Sequence, residues 1–174
     1  AAPPPFRRLA LAEVTFAYPA TGGEPGFAVG PLSLAIPAGT VTFVVGGNGS
    51  GKSTLLRLLT GLYAPRAGRI LLDGAPVADM SRHGGSLFSA IFADHHLFDR
   101  LYGMGEVDDA EVNRMLERMR VAGKTRCEAG RLTTTDLSTG QAKRVALALA
   151  LVLRRPLLVL DEWTADQDPG FRAL

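Results

Sequence analysis

The chain has 174 residues, 47% hydrophobic and 21% charged. That is the profile of a globular domain with a real core, not of a disordered or fibrous chain. A net charge of +2 is too small to point to a nucleic-acid partner, and one cysteine, Cys127, excludes an internal disulfide framework and fits a reducing compartment. The longest apolar run, Val145 to Leu153, is stopped by Arg154 and Arg155 well short of the ~20 residues a bilayer span needs. Ala-Ala-Pro-Pro-Pro at the start has no signal-peptide pattern and reads as a linker over residues 1–10. The stop at Leu174, soon after a strong motif, suggests a piece cut at both ends.

Taken in order, Arg8 to Tyr18 alternates loosely and ends at Pro19, which predicts a strand. Thr21 to Gly30 reads as a loop, and Leu32 to Ile36 as a short strand before Pro37-Ala38-Gly39. Thr40 to Val45 is a β-branched apolar run, which predicts a buried strand. Gly46 to Gly51 is a glycine loop, and Thr54 to Leu62 has helical spacing that closes at Gly61. Arg69 to Leu72 predicts a strand entering an Asp73-Gly74 turn, and Leu87 to Phe92 another strand. Val112, Met115, Leu116 and Met119 make Asp108 to Val121 an amphipathic helix. A longer helix, Ser138 to Arg155, precedes a buried strand, Leu157 to Leu160. This alternation predicts an α/β fold with a largely parallel central sheet.

Gly46-Gly47-Asn48-Gly49-Ser50-Gly51-Lys52-Ser53 fits G-x-x-x-x-G-K-[ST] between a predicted strand and a predicted helix. Glycines let the backbone wind around phosphate with its N–H groups inward, and the helix start adds the positive end of a dipole. Lys52 would reach the β- and γ-phosphates of ATP, and the Ser53 hydroxyl would ligate Mg²⁺. An incidental glycine turn is the plain alternative. The acidic partner is Asp161, at the end of Leu157-Leu158-Val159-Leu160, placed to hold Mg²⁺ through water. Glu162 beside it could polarise an attacking water as general base; the alternative is an acidic strand end in solvent.

Leu137-Ser138-Thr139-Gly140-Gln141 opens the long helix, and Ser138 with Gln141 forms an S-x-x-Q capping box. The same geometry also makes an anion site. Two phosphate-binding helix starts in one chain make sense if two copies face each other.

Here the chain resembles the nucleotide-binding domain of ABC transporters. Residues 138–141, with Leu137, look like the LSGGQ signature, with Thr139 for its first glycine. Gly46 to Thr54 looks like Walker A, and Leu157 to Glu162 like Walker B plus the catalytic glutamate. Tyr18 matches the aromatic that stacks on adenine, where a core aromatic at a strand end is the alternative. Asp166 and Asp168 fall where the family has its D-loop. The resemblance implies a P-loop ATPase fold with an antiparallel part at the N-terminus and a short helical subdomain at 99–136, within an ATPase domain at 11–174. It also implies a head-to-tail dimer in which Ser138 and Gly140 meet the partner's γ-phosphate.

Residues 88–94, 97–99 and 161–169 are similar to those of bacterial exporters of siderophores and of cyclic or lasso peptides. In those a transmembrane domain precedes the ATPase on the same chain, at the cytoplasmic face of the inner membrane. Two departures stand out. Ala93 occupies the usual glutamine position, leaving Asp94 to reach the metal through water, and His95 and His96 beside it read as surface loop residues. The family's histidine beyond the D-loop does not occur before Leu174, which implies weak or no turnover by these residues alone. Two rivals remain: a soluble ABC ATPase outside transport, and an ATP-binding module that does not hydrolyse.

Overall fold

A computed structural model of the chain describes residues 6–163, leaving aside 21, 24, 25, 79 and 106. The chain divides into two compact units, Ala1–Phe88 and Ser89–Leu174.

The first unit is built on an antiparallel sheet. β1 (Arg8–Ala17) lies between β2 (Ala28–Pro37) and β3 (Ala67–Leu72), and the short β4 (Ala75–Pro76) lies beyond β3. Leu9 pairs with Ile36 on one side and Leu72 on the other. Leu9, Leu11 and Val14 are buried, an odd step that a plain alternation does not allow. A bulge supplies the extra residue: the register shifts between Leu11 and Val14, with Glu13 at φ +51°. β1 starts three residues before the domain boundary expected at residue 11. Asp73 and Gly74 have φ of +52° and +85°, the two positive values of a type I′ hairpin turn between β3 and β4. The Asp73 carboxylate then accepts the backbone N–H groups of Arg7 and Arg8 at 2.7 and 2.8 Å.

α1 (Lys52–Leu59) buries Leu55, Leu58 and Leu59. α2 (Ser81–Leu87) was not anticipated, since its Gly84-Gly85 pair carries little helix propensity. One expectation fails in this unit. Residues 40–45 join no ladder, and Val41, Phe43 and Val45 are 81%, 82% and 87% exposed. Their apolar, β-branched composition states what a central strand needs, but a strand forms only where neighbouring backbones supply its hydrogen bonds. Among the described residues none pairs with this stretch.

The second unit carries α3 (Asp109–Arg118), the β6–β7 hairpin (Cys127–Glu128 and Arg131–Leu132), α4 (Thr139–Val152) and β8 (Leu157–Leu160). β5 (Phe88–Ile91) shares a two-stranded sheet with β8, and the Asp161 N–H donates to the Ile91 carbonyl at 2.9 Å. Asp108 caps α3 through the Ala110 N–H. Val112 and Leu116 of α3 meet Val145, Ala148 and Val152 of α4 around Val121, Cys127 and Leu132. β8 is less covered than expected. Leu158 and Leu160 are exposed and their neighbours half-buried, the pattern of a strand covered on one face.

Candidate nucleotide-binding site

The loop after residue 45 turns on its glycines. Gly49 and Gly51 have φ of +74° and +94°, where L side chains are strained. A Cβ at Gly51 would also lie 2.7 Å from the Val29 side chain, and one at Gly46 2.6 Å from Ser50 Oγ. Asn48 is exposed and Gly47 faces open space, while the Ser50 N–H donates back to the Gly47 carbonyl at 3.3 Å. Gly51 is also the N-cap of α1 and lends it no side-chain bond, and no acidic residue stands in the first turn. The first N–H groups of α1 are therefore offered to an anion, reinforced by the helix dipole. Lys52 Nζ donates to the carbonyls of Gly46 and Gly47, both at 2.9 Å. The ammonium thus sits over the loop that would wrap a phosphate. Ser53 is half-buried and Thr54 buried in the same turn.

Tyr18 is tied to this helix. Its hydroxyl and Thr54 Oγ1 share a hydrogen bond of 3.1 Å, which lowers the phenol's pKa below its ordinary value. Its ring meets Phe16 and Tyr63 edge-on at 5.1 and 5.8 Å, and Tyr63 lies flat on Phe16 at 4.9 Å. The hydrogen bond to Tyr18 raises the Tyr63 phenol in turn. Tyr18 is half-buried. Tyr63 and its stacking on Phe16 were not anticipated; two aromatics so far apart in sequence give no local signal.

In the second unit Asp161 is buried, 5% exposed, while Glu162 beside it is exposed. Glu162 has φ +49°, and its carbonyl accepts a hydrogen bond of 3.0 Å from Lys143 Nζ. Lys143 went unnoticed in the sequence. The available signal was its place on the stripe of α4 that also holds Gly140 and Ala150.

The Ser138 end of α4 is at the surface. Ser138 and Thr139 are exposed and Gly140 is buried. Ser138 Oγ accepts the Gln141 N–H at 3.4 Å, and Gln141 Oε1 accepts the Ser138 N–H at 3.1 Å, completing the expected capping box. Asp94 is exposed in a turn closed by the His95 N–H on the Phe92 carbonyl. His96 is exposed against Phe98, as a loop residue should be, but His95 is half-buried with both ring nitrogens shielded. Asp166 and Asp168 lie outside the described residues.

Cys127 is a free and buried thiol. Its thiol donates to Asp109 Oδ1 at 3.1 Å, and the Gly130 and Ala129 N–H groups donate to the same carboxylate. The thiol bond first, then these backbone bonds, hold Asp109 below the ordinary carboxylate range. Burial, with Asp109 adding to it, pushes Cys127 up to about 12, so it is a hydrogen-bond donor and no nucleophile at neutral pH. Arg154, just beyond α4, donates to Glu111 on α3 at 2.6 Å.

Residues 29–165, well over half of the chain, match the ABC transporter family. The chain belongs to the ABC transporter family. It is 45% identical over 169 residues to the ATP-binding protein SyrD of Pseudomonas syringae pv. syringae, covering 94% of this chain and 30% of that protein. It is 33% identical over 178 residues to the mycobactin import ATP-binding/permease protein IrtB of Mycobacterium tuberculosis, covering 92% of this chain and 30% of that one. The solved structure of a bacterial Atm1-family ABC exporter with ATP bound superposes with a TM-score of 0.80 at 28% identity, over 97% of this chain and 31% of that chain. The chain thus spans about a third of the length of these ABC proteins. It is an ABC nucleotide-binding domain with the α/β P-loop ATPase fold, its antiparallel sheet at the N-terminus. Among the described residues no helix is long and apolar enough to cross a membrane.

Proposed function

We propose that this ABC domain hydrolyses ATP and drives a transmembrane domain on the same full-length chain, at the cytoplasmic face of a bacterial inner membrane. The observation that carries the reading is the phosphate loop: left-handed glycines lead into an uncapped helix start, and Lys52 Nζ is already held over the loop at 2.9 Å from two carbonyls. Triphosphate oxygens would replace those carbonyls as partners of Lys52 and take the first N–H groups of α1. Tyr18 would stack on the base. Asn48, Ser50 and the four loop glycines shape the cradle.

Ser53 and Asp161 would hold Mg²⁺. One hydroxyl and one carboxylate are hard oxygen donors, and among the described residues no three His, Cys, Asp or Glu side chains gather into a metal-binding group. That donor set suits a cation that keeps waters and takes phosphate oxygens. Bound there, Mg²⁺ supplies charge neutralisation on the phosphates. Glu162 takes a proton from water as its oxygen bonds to the γ-phosphorus, the bond from that phosphorus to the bridging oxygen breaks, and ADP leaves with the electron pair. Asp94 stands as the substitute for the missing loop glutamine. Ser138, Thr139, Gly140 and Gln141 would meet the γ-phosphate of a second domain, with Asp166 and Asp168 lining the shared face.

Export of a siderophore or cyclic peptide is the finer reading. Support comes from loop segments 88–94 and 97–99 and from the likeness to SyrD and to an Atm1-family exporter. IrtB, named for import, pairs an ATP-binding part with a permease part. The decisive experiment is Glu162→Gln in the full-length protein. Turnover is expected to fall about 10²- to 10⁴-fold while ATP binding persists and an ATP-bound dimer accumulates. Undiminished turnover would sink the general-base assignment.

A further inference from the structure

Lys143 heads the large side chains wholly withdrawn from solvent among the described residues, at 1% exposed. A buried ammonium is costly unless polar groups replace its water, so a position that only filled space on α4 would hold an apolar side chain. Its Nζ donates to the main-chain carbonyl of Glu162 at 3.0 Å. Glu162 in turn has φ +49°, a region that a non-glycine residue occupies only when its surroundings hold it there. The strained peptide is thus the one that the buried cation grips. Lys143 also lies one turn beyond Gly140, on the helix whose capped tip carries Ser138.

We propose that Lys143 is a positioning residue that fixes the backbone of Glu162 and so aims its carboxylate. The ammonium and Ser138 ride on one helix, so a shift of α4 when its tip engages a nucleotide is passed to Glu162 through the hydrogen bond from Lys143 Nζ. The inference rests on the reading of Glu162 as the group that takes the proton from water.

The test uses Lys143→Met in the full-length protein, which keeps the length of the side chain and removes the charge. Its kcat for ATP is expected to fall about 10- to 100-fold, the scale of a misplaced catalytic group, while KM for ATP changes less than about threefold. Lys143→Arg is expected to recover more of kcat than Met retains. Wild-type kcat in Lys143→Met, with turnover lost in Glu162→Gln, overturns this inference and leaves the role of Glu162 standing. Turnover retained in Glu162→Gln overturns that role itself. A Lys143→Met protein in which kcat, ATP affinity and melting temperature all fall together, unrecovered by Arg, reveals a folding role only and overturns the proposal. Should Lys143→Met not fold, Lys143→Gln replaces it, with an N–H donor of shorter reach: lowered kcat at unchanged KM supports the proposal and wild-type kcat overturns it.

Discussion

Two helices of this ABC domain start at positions suited to phosphate, and they start differently. α1 begins at Gly51, which lends no side chain to its first turn, so the helix end stays open and Lys52 leans on the loop's own carbonyls. α4 begins at Ser138, where the hydroxyl and Gln141 satisfy each other's backbone N–H groups. The first end needs an anion to complete it; the second is complete by itself. Ser138 Oγ accepts from Gln141 and still has its own proton to donate, so α4 can offer a bond to a phosphate without losing its cap. Removing Lys52 at the first end should therefore damage binding and spare the fold, whereas removing the Ser138 cap at the second should damage both.

Among changes at these two helix starts the largest effect is expected from Lys52→Ala, which removes a charge-assisted donor from the site: turnover falls about 10²- to 10³-fold with the melting temperature nearly unchanged. A parallel loss of melting temperature would erase the contrast between the two ends. Gly51→Ala comes next. Its φ of +94° and the contact with Val29 make a side chain cost about 1–3 kcal/mol of stability in a denaturant melt, with ATP binding weakened in a titration as the loop shifts to relieve the strain. Wild-type affinity there would mean the left-handed cap is dispensable. Ser138→Ala should cost about 1 kcal/mol of stability in a denaturant melt, the worth of an N-cap. If the tip also meets a second domain's nucleotide, ATP-dependent dimerisation falls further than that loss of stability accounts for; proportionate losses would leave α4 as a capped helix only. The smallest change is Thr139→Gly, which restores the usual signature residue at an exposed position: within about 0.5 kcal/mol in stability, with turnover retained.

Much of the site was legible because its signals are local. The glycine spacing of Gly46 to Gly51, the lysine that follows and the Ser138–Gln141 pair each act within a few residues, and all three take the expected local geometry. The Asp73-Gly74 turn is another such case. The apolar run at residues 40–45 shows the limit of this kind of reading. Like β8 it is a short run rich in apolar residues, yet β8 finds β5 as a ladder partner and residues 40–45 find none among the described residues. Hydrophobic pattern reports what a segment can bury, not which backbone stands beside it. Cys127 teaches the same lesson in chemistry. The carboxylate next to it in sequence, Glu128, is exposed, whereas α3 brings Asp109 to its sulfur from 18 residues away.

By itself the amino-acid order determined the glycine loop before α1, the helix caps, the acidic pair at residues 161 and 162 and the family to which the chain belongs, since each depends on neighbours along the chain. Tertiary structure alone decided that Lys143 is buried and grips Glu162, that Tyr18 hangs on Thr54, and that β8 keeps one face open. Burial and hydrogen-bond supply are set by groups brought together from distant positions, and no short window of sequence contains both partners.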